Sequence, residues 1–150
     1  MISIKIDSGN RKIFTHIKDI SSIYDRSLRF SFYKIGKMLA KEAKRSIIQG
    51  PKTGRLYKIT GRKRRHRASA PGEPPANLSG NLQKSVDFIV KGSRQLDFGA
   101  GSNQLIYARP LELGNDRIKQ RSYLLRAINE KEKDIENYFE RELKRNLNSL

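Results

Sequence analysis

Cysteine is absent from the 150 residues, which excludes a disulfide framework, a thiolate metal site and a cysteine nucleophile at once. An intracellular assembly fits that absence. Acids are scarce: 15 Asp plus Glu stand against 32 Lys plus Arg, a net charge of +17. Between Glu42 and Glu73 there is no acid, whereas Lys44, Arg45, Lys52, Arg55, Lys58, Arg62, Lys63, Arg64, Arg65 and Arg67 all fall there. No apolar run approaches the roughly 20 residues of a membrane-spanning helix, and the first residues, Met1 to Asp7, lack a charged region followed by a long apolar stretch. Neither secretion nor a membrane partner is expected.

Catalytic chemistry is equally thin. The two histidines, His16 and His66, stand far apart in unrelated contexts, and His66 sits inside the cationic stretch, a poor place for a metal ligand. Asp87, Asp97, Glu112 and Asp116 could supply a nuclease-like acid cluster, but no Asp-x-Lys or Glu-x-Lys lies beside a strand. Gly99-Ala100-Gly101-Ser102 lacks the order of a phosphate-cradling loop and reads as the turn that ends a strand. No catalytic, cofactor-binding or metal-binding residue is assigned, and an enzyme is not expected.

What is present is patterned sparingly. Hydrophobic residues make up 36% of the chain and mean hydropathy is -0.71, so the core must come from a few well-patterned elements. A chain of this length fits one domain, residues 1–150. Alternation at Ile2, Ile4 and Ile6 predicts a short edge strand. From Ile20 to Ile48, the apolar residues Ile20, Ile23, Tyr24, Leu28, Phe32, Ile35, Leu39, Ala43 and Ile47 step by three or four, the spacing of one helix face, and Gly50-Pro51 ends the helix. Val86 to Val90 and Gln95 to Ala100 read as an antiparallel hairpin around Lys91-Gly92-Ser93-Arg94. Leu78 to Leu82 opens a short helical turn, and Ile106 to Leu113 gives a brief helix or turn facing the sheet. Ser122 is the expected N-cap of a last helix whose stripe is Leu124, Ala127, Ile128, Ile135, Tyr138, Phe139, Leu143 and Leu147, interrupted at Lys131.

Residues 49–77 show no sustained period and are expected as a long projecting basic loop, with a short hairpin through Arg55 to Ile59. Gly61 to Arg67 carries six ionisable basic side chains in succession. The plain account is a surface segment extended by its own repulsion. The functional account is contact with DNA phosphates, or with an acidic face of a neighbouring protein, through Arg55, Lys58, Arg62, Lys63, Arg64, Arg65 and Arg67. Tyr57 is the only ring nearby besides His66, so stacking on single-stranded bases is poorly supported. The fold class is thus α+β: a small antiparallel sheet packed against a long N-terminal helix and a C-terminal helix, with the basic loop projecting.

One stretch is more specific than any of these patterns. Ser69-Ala70-Pro71-Gly72-Glu73-Pro74-Pro75-Ala76-Asn77-Leu78-Ser79-Gly80-Asn81-Leu82-Gln83-Lys84-Ser85 resembles the S-x-P-G-E-P-P-x-x-x-[ST]-G-x-L-x-x-S signature of the tail-completion proteins, or head-tail joining and neck proteins, of long-tailed DNA bacteriophages. The resemblance continues in Phe98 to Ser102, in Tyr107-Ala108-Arg109-Pro110-Leu111-Glu112-Leu113-Gly114 and in Arg121-Ser122-Tyr123-Leu124, in the family's order and over about half the chain. Three departures stand out: Ser122 where the family commonly has Pro after Arg, Leu113 where it commonly has an aromatic or small residue, and a cationic run heavier than the signature requires.

The resemblance implies a virion structural protein at the head-tail interface, made in the host cytoplasm and acting without cofactors. Its implied form is a ring of copies of itself, a hexamer by analogy, around the DNA channel. Its implied partners are the head connector or head-completion protein, the tail tube or tail terminator protein, and packaged DNA. It further implies that Pro71, Gly72, Glu73, Pro74, Pro75, Leu78, Gly80 and Leu82, with Tyr107, Pro110, Glu112 and Gly114, shape the subunit contacts. The alternative from the residues alone is a non-specific nucleic-acid-binding protein acting through the basic loop; a toxin or nuclease subunit would need metal-dependent activity.

Overall fold

The computed structural model describes residues 8–61, 63, 65–101 and 105–147, and the strand expected at residues 2 to 6 lies outside them. Helix α1 runs Ser8–Gln49, about 60 Å at the usual rise, so it begins well before Ile20. The expected stripe is the buried one where it meets the rest of the chain: Ile35, Leu39, Ala43 and Ile47 are all in the interior. The helix ends as Gly50-Pro51 foretold, with the Gly50 N–H returning to the Ser46 carbonyl. Lys52 Nζ then donates to the Gly50 carbonyl at 2.9 Å, covering one of the carbonyls that a helix C-terminus leaves open.

The chain is α+β, but its strands form two separate two-stranded antiparallel sheets rather than one. The first joins β1 (Leu56–Lys58) to β2 (Arg65–Arg67). The second joins β3 (Asp87–Lys91) to β4 (Gln95–Gly99), in the register Ile89 opposite Asp97 and Val90 opposite Leu96. Helices α2 (Asn81–Ser85), α3 (Ala108–Leu113) and α4 (Leu124–Leu147) complete it.

The β3–β4 hairpin lies on α1, with Phe88 and Phe98 packed against the core. Helix α4 runs antiparallel to α1. Phe139 meets Phe32 edge-on at 5.7 Å, Lys131 faces Glu42, and the Asn146 side chain donates to Ser27 Oγ at the far end. The core gathers Ala40, Ala43 and Ile47 of α1, Leu82, Val86, Ala108, Tyr123 and Ala127. Alanines at 43 and 127, both fully buried, let the helices approach closely. Among the described residues, Tyr123 is the largest side chain buried completely.

Among the described stripe residues of α4, Ile128 and Leu143 face solvent, each 41% exposed. The face turned to α1 is narrower than the stripe and includes Lys131, whose ammonium lies 2.8 Å from Asp134 and 4.0 Å from Glu42. Burial alone would raise the Glu42 carboxyl, but the Arg45 hydrogen bond at 2.7 Å and the charges of Arg45 and Lys131 hold it below the usual carboxylate range.

Candidate functional site

The sequence presents residues 49–77 as a projecting loop; the structure shows that only its middle projects. Beyond β1–β2, the pairing extends through Gly54 N–H to Ala68 carbonyl and Ala68 N–H to Arg55 carbonyl, each at 3.0 Å. A β-carbon on Gly54 would lie 2.7 Å from the Ser69 carbonyl oxygen, so only glycine admits this approach. The pairing is itself a correction, because the expected short hairpin ended near Ile59, whereas Leu56–Lys58 finds its partner inside the cationic run. Backbone pairing holds there although arginine is no strong strand former.

Below the hairpin, the Pro/Gly arm is fastened to the body. Glu73 does much of this: its carboxylate accepts from Thr53 Oγ1 at 2.6 Å, Thr53 N–H at 2.8 Å and Ala70 N–H at 2.7 Å. Those hydrogen bonds, the Thr53 hydroxyl's first, hold the Glu73 carboxyl below its ordinary value. Gly72, at φ +81°, donates its N–H to the Gln120 carbonyl, and its own carbonyl accepts from Arg126 Nη2 at 2.8 Å. Arg121 Nε donates to the carbonyl of buried Ser69. Pro74 and Pro75 are buried. The prolines therefore build the junction rather than a free spacer.

Glu112 performs the corresponding task on the other side of that junction. Its Oε2 accepts from the N–H groups of Tyr123 and Leu124, and its Oε1 from the Leu125 N–H and the Ser122 hydroxyl, all at 2.7 to 2.9 Å. A helix leaves its first N–H groups unpaired and its N-terminus is electropositive, so a carboxylate there serves as a cap. The capping group of α4 is thus Glu112 of α3; Ser122, the expected cap, donates its hydroxyl to that carboxylate instead. Local spacing could not reveal a cap that arrives from another element. Arg121 N–H to Leu111 carbonyl, at 2.7 Å, ties the same two segments.

The residues expected to shape subunit contacts therefore divide. Glu73, Pro74, Pro75, Leu82 and Glu112 are engaged or buried within the chain. Pro110 stands in the first turn of α3, where its missing N–H costs no helical bond, and its carbonyl accepts from Gly114 N–H. Gly80 and Gly114, at φ +82° and +78°, begin α2 and close α3. Pro71, Gly72, Leu78 and Tyr107 are exposed, and Ile106 and Leu113 are strongly exposed. Among basic-loop residues, Arg55, Lys58, Lys63, Arg65 and Arg67 are exposed, and Arg62 and Arg64 lie outside the described residues.

No family model matches the chain, and no curated protein or solved structure is significantly similar to it. The site must be read from its own geometry. Of the acids that might have formed a nuclease-like cluster, Asp97 pairs with Lys91, Glu112 caps α4, and Asp87 accepts from the Phe88 N–H. Among the described residues, no three His, Asp or Glu side chains are placed to hold a metal ion. Among the described residues, no helix is long and apolar enough to cross a membrane.

Sequence reasoning missed Thr53, Gln120 and Arg126, and it gave the buried Tyr123 no role beyond its place in the Arg121–Leu124 motif. The signal available for them was weak: each acts across a sequence separation of 11 to 54 residues.

Proposed function

We propose that this protein is a virion structural protein of a DNA bacteriophage that joins tail to head, assembling as a ring around the DNA channel and acting by assembly rather than catalysis. The observation carrying this reading is the junction. Segments that resemble three of the family's motifs meet there through Glu73, Gly72–Gln120, Arg121–Ser69 and Glu112. Around it, apolar groups face outward, with Ile106 82%, Leu113 62% and Leu125 50% exposed. Leu113 follows Glu112 in α3 and the Leu125 N–H donates to the Glu112 carboxylate, so both residues are anchored to the same ordered base. Large apolar side chains on a rigid base suit a subunit contact.

In this reading the ring, hexameric by analogy, seats on a head connector and receives the tail tube. The direct experiment mixes the purified chain with connector rings and tail tubes and follows sedimentation. Joint sedimentation of all three supports the joining role; sedimentation with neither contradicts it. A second reading, non-specific nucleic-acid binding, is favoured by one specific observation, the exposed cations Lys58 and Arg65 paired across the β1–β2 ladder.

A further inference from the structure

The β1–β2 ribbon breaks a rule that the other hairpin keeps. Residues directly opposite in an antiparallel ladder share a face, and like charges there are destabilising. Lys58 lies directly opposite Arg65, and Arg67, two residues on, shares the face with them and with Leu56. Among the described residues no carboxylate pairs with any of the three. In β3–β4, by contrast, Lys91 is bridged to Asp97. The opposite face of the ribbon carries Tyr57 and His66, whose rings meet edge-on at 5.5 Å and are thus engaged with each other.

We infer that the β1–β2 ribbon is a binding site for the phosphate backbone of duplex DNA, with Lys58, Arg65 and Arg67 as its contacting face. A local rule broken without internal compensation marks a surface built for something outside the chain, and three uncompensated cations on one face call for a polyanion. A two-stranded ribbon also has the width that a major groove admits. A duplex is favoured over a single strand because the nearby rings, Tyr57 and His66, meet each other edge-on instead of standing as free platforms for bases. The Gly54–Ala68 pairing and the Glu73 clasp hold the ribbon in place before binding, which lowers the ordering cost. Contact is to phosphate, so recognition is independent of sequence. This inference deepens the second reading above and does not require the ring.

The test is fluorescence anisotropy of the full-length chain with a labelled short duplex of arbitrary sequence, its single strand, and polyglutamate, each titrated over a range of salt. The expected result is duplex binding whose log affinity falls linearly with log salt. The double variant K58A/R65A should flatten that slope by about 1.8, since each phosphate contact contributes about 0.9. Both positions are exposed and without ion pairs, so circular dichroism of the variant should match the parent; Arg67, which reaches the Gly54 carbonyl, is left intact for that reason. Tyr57→Ala should leave duplex affinity unchanged. An unchanged slope in K58A/R65A, or tighter binding of the single strand, overturns the inference. Preferential binding of polyglutamate overturns it in favour of an acidic protein surface. Ring formation is measured separately, so either outcome leaves the joining reading standing or falling on its own test.

Discussion

Gly36 of α1 and the ring of Phe88 in β3 occupy space that leaves no room for a methyl group: a β-carbon at position 36 would lie 2.3 Å from Phe88 Cδ2. The hairpin rests on the helix backbone itself, and Tyr33 meets the same ring edge-on at 5.4 Å. Ordinarily Gly→Ala in a helix gains about 1 kcal/mol. Here the clash opposes it, and overpacking costs about 1 to 3 kcal/mol. Gly36→Ala should therefore destabilise the protein by about 1 kcal/mol in chemical denaturation. In a Phe88→Leu background, which removes the ring, the same substitution should become neutral or stabilising; equal cost in both backgrounds would refute the contact.

The Glu112 cap gives a second expectation. Losing an N-cap costs about 0.5 to 2 kcal/mol, and this carboxylate serves three N–H groups and a hydroxyl. Glu112→Ala should cost on the order of 2 kcal/mol or more. Amide exchange should accelerate first at Tyr123, Leu124 and Leu125. Ser122→Ala, removing only one donor to the carboxylate, should cost less. Equal costs would make Ser122 the working cap.

Acid should release the arm. Because the folded Glu73 carboxyl is held below its ordinary value by Thr53 and Ala70, its contribution to stability is fully present above the unfolded carboxylate range, about pH 4.3. It is lost as pH falls through the lower folded value. Amide resonances of Thr53 and Ala70 should move together in that acid window and stay fixed at neutral pH. In Glu73→Gln, which replaces one acceptor oxygen by a donor amide, that shared transition should vanish.

Much of the architecture was legible because the residues that build it repeat. The α1 stripe from Ile35 to Ile47, the β3–β4 hairpin and the short α2 and α3 follow from spacing and turn chemistry, and each formed close to where it was expected. The start of α1 was also in the sequence, since Ile13 and Ile17 continue the spacing into Ile20 and Tyr24. What could not be read was long-range and polar. Glu73 meets Thr53 across 20 residues and Glu112 caps a helix begun 12 residues later. Neither contact leaves a periodic trace. The strand at Arg65–Arg67 was hidden for a different reason: its side chains oppose pairing, and its backbone pairs because Gly54 lets Ala68 close the ladder.

The joining reading rests on self-assembly, and the mass of what forms tests that most directly. Native mass spectrometry of the full chain, alone and on isolated connector rings, at low and at high salt, separates apolar subunit contacts from phosphate contacts, because only the latter weaken steeply with salt. The account expects a fixed whole number of copies that persists at high salt, and loss of that assembly in L113D/L125D. A chain that stays monomeric in every condition, and associates only with duplex DNA at low salt, would contradict it.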